Sequence, residues 1–182
     1  METSSHWCTP LAERGKGTGL YEITLFGMLG ALTFGGKVAM MALPNIEPVS
    51  LMVMLFAVTF GKKAVYPIYV YVLLEFVLNG VHLWSINYLY VWLVLAGAAW
   101  LLRGMTHPLG WALLSGVFGL MFGALCAPVY LVTGGPMFAL SWWISGIPFD
   151  LIHCAGNFAI ALGLFVPLRR LLERLYREIQ QK

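Results

Sequence analysis

The sequence predicts an all-α integral membrane protein, a bundle of six transmembrane helices with an amphipathic helix at its C-terminal end. Three observations predict it. Sixty per cent of the 182 residues are apolar, 10% are charged and the mean hydropathy is +0.81, whereas a soluble domain carries roughly a quarter charged residues. Apolar runs fall at about 21–43, 48–61, 63–80, 86–102, 109–131 and 148–167, separated by polar or Pro/Gly signals. Lys and Arg occupy one set of connections only, as they do on the cytoplasmic side of a membrane. A chain of this length has room for about six spans of roughly 20 residues and little else, so no extramembrane catalytic domain is expected.

Residues 1–20 hold Ser4, Ser5, Thr9, Pro10, Glu13, Arg14 and Lys16 and lack an apolar stretch. They read as a disordered cytoplasmic tail rather than a cleaved signal. The six-helix domain follows over 21–167. Its second helix is short, started by Pro48 and ended by Gly61-Lys62-Lys63. The sixth starts at Ser145-Gly146-Ile147-Pro148-Phe149-Asp150, with proline in the first turn and Asp150 as a cap. After Pro167, residues 168–182 place Leu168, Leu171, Leu172, Leu175 and Ile179 on one stripe among arginines and glutamates, an amphipathic helix on the membrane surface. The inner connections carry Arg14, Lys16, Lys62, Lys63, Arg103 and the basic C-terminal segment, while the outer ones at about 44–47, 81–85 and 132–147 hold no Lys or Arg. Both ends of the chain are therefore placed in the cytoplasm of a bacterial-type inner membrane.

The net charge of +3 sits at helix ends rather than in a patch interleaved with aromatics, which argues against nucleic acid as a partner. Three scattered cysteines, Cys8, Cys126 and Cys154, form no disulfide framework and read as reduced residues. A GxxxxGK[ST] loop, an HExxH helix and a GxSxG elbow are all absent, so ATP hydrolysis and the familiar metal and serine mechanisms lack support. No ladder of carboxylates crosses the bilayer, and six helices without an inverted repeat fall short of an ordinary secondary transporter.

Polar side chains inside a membrane are expensive and mark function or helix contacts. Lys37 lies sixteen residues past Tyr21, about 24 Å along a helix at 1.5 Å per residue, near the outer surface. Glu75 and Asn79, then His82 and Trp84, then Asn87, Tyr88 and Tyr90 occupy the same outer level. Asp150, His153 and Asn157 share one face of the sixth helix, either as ligand contacts or as a pair that binds helices together. The loop Leu43-Pro44-Asn45-Ile46-Glu47-Pro48 is stiffened by two prolines and presents Asn45 and Glu47 as a flap. Trp142 and Trp143 in the last outer loop are either an interfacial belt or a stacking wall. Together these residues describe a pocket open to the outside.

Small residues recur every four positions at Gly27, Ala31, Gly35 and Ala39, and again at Ser115, Gly119, Gly123 and Ala127. Such rows let helix backbones touch. The second row reads as packing within the bundle, while the first is open to a partner.

The segments Leu43-Pro44-Asn45-Ile46-Glu47-Pro48-Val49-Ser50, Tyr66-Pro67-Ile68-Tyr69-Val70-Tyr71, Ile86-Asn87-Tyr88-Leu89-Tyr90-Val91-Trp92 and Gly146-Ile147-Pro148-Phe149-Asp150 through His153 and Asn157 carry a likeness. Over about 21–172 the chain resembles the S components, the substrate-binding membrane subunits, of energy-coupling factor (ECF) transporters. The resemblance implies a non-enzymatic six-helix subunit that binds a vitamin in an outward cavity beneath the loop between helices 1 and 2. Lys37, Asn45, Glu47, Asn87, Trp142 and Asp150 fall where that cavity would lie. It further implies docking through small residues of helix 1 onto a transmembrane scaffold driven by two ATPase subunits, and release by toppling of the whole subunit. Metal-specific members begin Met-His, whereas this chain begins Met1-Glu2, so no metal and no cofactor are expected. The pattern looks most like the cobalamin-specific group, with riboflavin, pantothenate or a queuosine precursor also compatible. Two other classes compete: a small intramembrane enzyme using Asp150 and His153 as acid and base, and a structural subunit whose polar face binds a neighbouring helix.

Overall fold

The structure, a computed structural model, describes residues 19–43 and 45–181. The expectations placed on residues 1–18, including Arg14, Lys16 and Cys8, lie outside the described residues, as does Pro44 of the flap. All regular structure among the described residues is helical: α1 (Leu20–Ala39), α2 (Val49–Phe60), α3 (Val65–Asn79), a one-turn α4 (Leu83–Ile86), α5 (Tyr88–Leu101), α6 (Pro108–Leu120) and α7 (Phe122–Gln180). A 3-10 turn, Gly61–Ala64, joins α2 to α3. Three runs, 49–79, 83–101 and 108–180, are long and apolar enough to cross a membrane. Large apolar side chains such as Leu32, Val77, Leu101 and Val132 face outward, far more than a water-facing surface carries in one place.

Helix α2 is the central post. Its sequence is apolar on every side, and eleven of its twelve residues are buried, as expected of a helix enclosed by others. It stops where expected, because Gly61 adopts φ 57°, ψ −125°, a region closed to residues with a Cβ. Helices α1 and α3 run parallel along it. Glu22 meets Lys63, Gly30 meets Pro67 and Val70, and Lys37 meets Glu75. Gly30 permits that approach, since a Cβ there would lie 2.6 Å from the Val70 side chain and 2.8 Å from the Pro67 carbonyl oxygen.

Helix α6 and the second part of α7 form an antiparallel pair. Trp111 stacks on Phe165 at 4.4 Å, and Gly116, Gly119 and Gly123 abut Phe158, His153 and Asp150. The small row on this helix is thus used for packing inside the bundle. The chain bends at Met121 between α6 and α7 and again at Gly135, whose φ 80° and ψ 176° break α7.

Three expectations change here. Residues 132–147 are not an open loop: apart from Gly135 they are helical, and the helix runs on through Pro148 and Pro167. Pro148 and Asp150 therefore do not start a helix. The C-terminal stripe does not simply lie on a membrane surface either. Leu172 and Tyr176 are buried, with the Tyr176 ring edge-on to Phe60 at 4.8 Å, while Leu171 and Leu175 face outward. Cys126 and Cys154 are free thiols.

Candidate functional site

The polar residues expected near the outer surface gather at one end of the bundle, opposite the end that holds Glu22, Lys63 and Tyr176. The Lys37 ammonium of α1 lies 2.6 Å from Glu75 Oε1 of α3 and donates to the Tyr88 hydroxyl of α5 at 3.2 Å. It also stands 5.0 Å over the Tyr88 ring. Glu75 Oε2 accepts from Asn79 Nδ2 at 2.8 Å, and the Trp84 indole donates to the Tyr88 hydroxyl at 3.1 Å. One ion pair and its three neighbours, Tyr88, Asn79 and Trp84, thereby tie α1, α3, α4 and α5 together. Such a pair satisfies its own desolvation only through these added hydrogen bonds.

Asp150 is buried in α7, and both its oxygens accept from the Gly123 backbone N–H, at 3.1 and 3.2 Å. Gly123 stands in the first turn of α7 after the bend at Met121, where N–H groups have no helical partner. Asp150 therefore caps the start of its own long helix from 27 residues downstream, which accounts for the capping role in a place the sequence does not suggest. His153, one turn further on, is 4% exposed, packs edge-on against Phe122 at 4.9 Å, and leaves Nε2 without a hydrogen-bond partner among the described residues.

The loop between α1 and α2 closes over these groups. Asn45 takes φ 56°, a left-handed conformation that asparagine tolerates better than most residues. Its Nδ2 donates to the Phe149 carbonyl at 3.4 Å. Ile46 presses against Gly156, where a Cβ would come within 3.0 Å of it, so the flap is anchored by an apolar plug as well as by polar atoms. Glu47 has no hydrogen-bond or ion-pair partner among the described residues. Burial pushes its carboxyl above the ordinary value, and the Lys37 ammonium pulls it back.

Beneath this loop lie two adjoining cavities of about 270 Å³ and about 320 Å³. The first is lined by Lys37, Asn45, Glu47, Glu75, Asn79, Trp84, Tyr88 and His153, with Phe34 and Phe122 among its apolar walls. The second is lined by Trp142, Ser145, Phe149 and Asp150. Asn45, Trp84, Phe122 and His153 border both, so the two form one bilobed recess.

Four of the candidate residues stand elsewhere. His82 caps the one-turn α4, exchanging bonds with Ser85. Asn87 is fully buried, donates to the Leu83 and Trp84 carbonyls at 3.2 Å and accepts from the Tyr90 hydroxyl at 3.0 Å, and so braces the α4–α5 joint. Trp143 is turned outward and borders neither cavity. Asn157 lies below the recess, donating to Ser50 Oγ at 3.0 Å and the Ser115 carbonyl at 3.3 Å, which makes it a bond between α2, α6 and α7. Phe122, which borders both lobes, sits within an apolar run and gave no signal. Ser145 spends its hydroxyl on the Trp142 carbonyl at 2.9 Å and makes no bond to His153.

On α1, Gly27 is half-buried, whereas Ala31, Gly35 and Ala39 are exposed; a Cβ on Gly27 or Gly35 would meet nothing within 4 Å. Gly30 and Gly36, not these, make the close internal contacts of the helix. Among the described residues no three His, Cys, Asp or Glu side chains converge as a metal site. No family model, curated protein or solved structure matches the chain.

Proposed function

We propose that this chain is the substrate-capturing subunit of an ECF-type importer, a six-span protein of the bacterial inner membrane with both termini in the cytoplasm. It takes a vitamin from outside and delivers it inward by toppling while docked on an ATPase-driven scaffold; it catalyses no reaction itself. The observation that carries this reading is the bilobed recess under the α1–α2 loop, where polar groups from α1, α3, α5 and α7 converge around space. In a bundle built only for packing those groups would satisfy one another. His153 Nε2 and the Glu47 carboxylate do not.

The six-span count is supported by pairing: α2 and α3 lie in one long apolar run yet turn back on each other at Gly61–Ala64, and α6 and the latter part of α7 are antiparallel. Lys63 and Arg169 then fall at the end opposite the recess. The two lobes taken together fall within the range of roughly 300–1,000 Å³ for drug-sized guests. The acid–base alternative loses ground because Asp150 is committed to Gly123 and makes no bond to His153.

Mass spectrometry of small molecules released from protein purified out of rich medium tests the proposal; a stoichiometric vitamin supports it, and an empty protein that no vitamin stabilises against heat counts against it. Gly27→Leu with Ala31→Leu should abolish uptake by cells carrying the ATPase partners while leaving the ligand affinity of the purified subunit unchanged. Loss of both together would remove α1 as the docking face. Asn45→Ala should raise the ligand dissociation rate roughly two- to tenfold, the worth of one ordinary hydrogen bond, measured by stopped-flow quenching of tryptophan fluorescence.

A further inference from the structure

The charges around the recess do not balance. One ammonium, Lys37, faces three carboxylates, Glu47, Glu75 and Asp150. Lys37 already gives two of its three N–H groups to Glu75 and the Tyr88 hydroxyl. Glu47 lines the first lobe with no hydrogen-bond or ion-pair partner among the described residues. His153 lines both lobes and is buried to all but 4%, with its Nε2 unpaired among the described residues. The walls are aromatic: Trp84, Phe122 and Tyr88 lie within 6.1 Å of one another in sequence of contact, and Trp142 stands 6.2 Å from Trp84. Aromatic faces attract cations and are indifferent or hostile to anions.

Resting on the importer reading above, we propose that the guest is a small organic cation: an aromatic or fused-ring molecule bearing a protonated amine. Its ring lies among Trp84, Phe122 and Trp142, and its charge is neutralised by Glu47. This explains why Glu47 is left without a partner in the first lobe while the site's own cation, Lys37, is paired with Glu75.

Three probes on one ring system separate charge from shape: 1-naphthylmethylammonium, its neutral analogue 1-naphthalenemethanol, and the anion 1-naphthoate. Titration calorimetry of the purified subunit should show the ammonium binding at least about tenfold more tightly than the alcohol, with naphthoate weakest. Glu47→Gln should erase about tenfold of the ammonium's affinity while leaving the alcohol's unchanged. Glu47 makes no hydrogen bond or ion pair among the described residues, so its variant tests charge with little disturbance of the fold, as an unchanged melting temperature would verify. The inference is overturned if naphthoate binds as tightly as the ammonium, if the ammonium does not bind in the millimolar range, or if Glu47→Gln changes nothing. A neutral or anionic vitamin found in the purified protein would also overturn it while leaving the importer reading intact; no guest and no uptake would fell the importer reading itself.

Discussion

Gly119→Val is expected to prevent the chain from reaching its folded form. A Cβ at this position would lie 2.8 Å from the backbone carbon and oxygen of His153 and 2.9 Å from the Cys154 nitrogen. These are main-chain atoms of a helix and cannot rotate aside as a side chain can. Relief requires α6 and α7 to separate, which strains the Trp111–Phe165 stack and the Asp150–Gly123 hydrogen bonds on either side. Overpacking of a well-packed core costs about 1–3 kcal/mol and more where backbone must move, so the upper end or beyond applies here. Even Gly119→Ala should lower the melting temperature in detergent. Gly27→Ala supplies the control: its Cβ meets nothing, and the better helix propensity of alanine should hold or raise stability by up to about 1 kcal/mol. Equal melting temperatures for the two alanine variants would contradict the packing described.

Glu22→Ala should be nearly as damaging, at the other end of the bundle. Glu22 is 6% exposed, and its carboxylate accepts from Lys63 Nζ at 2.7 and 3.0 Å, from the Tyr176 hydroxyl at 2.5 Å and from Gln180 Nε2 at 3.3 Å. One side chain thus fastens the start of α1, the α2–α3 turn and the end of α7. Removing it strands a largely buried ammonium and a buried hydroxyl, for which a loss of about 3–5 kcal/mol is usual. Glu22→Gln, which keeps acceptor and shape but not charge, should recover part of this. Chemical unfolding followed by tyrosine fluorescence distinguishes the two, and an unchanged midpoint for the alanine variant would deny the fastening role. Protease sensitivity confined to residues after Pro167 would show that the C-terminal part of α7 releases first.

Much of the site was legible because ionisable and amide groups are conspicuous in an apolar chain. Lys37, Glu75, Tyr88, Asp150 and His153 stand out in sequence, and all five border the recess. Depth was harder to read than side. Asn157 shares a helical face with Asp150, but seven residues further on is about 10 Å deeper, where Ser50 and Ser115 hold it. Prolines misled in the opposite direction. Residues 132–147 read as an outer connection and Pro148 as the first turn of a new helix, yet only Gly135 leaves the helical region and α7 accommodates all four of its prolines. A proline breaks a helix chiefly by removing one N–H and crowding one carbonyl, and within a bundle neighbouring groups can absorb that defect. The bend at Met121 carries no sequence signal, so neither Phe122 nor the free N–H of Gly123 was foreseeable.

The two ion pairs that join α1 to α3 have opposite sense. At one end α1 supplies the carboxylate of Glu22 to Lys63, and at the other it supplies the ammonium of Lys37 to Glu75. Were α1 inserted upside down beside the same neighbour, Glu22 would confront Glu75 and Lys37 would confront Lys63, two repulsions in place of two attractions. The polarity with which the first segment enters is thereby written into its contacts with the third, and a nascent chain threaded the wrong way gains no foothold from which to fold.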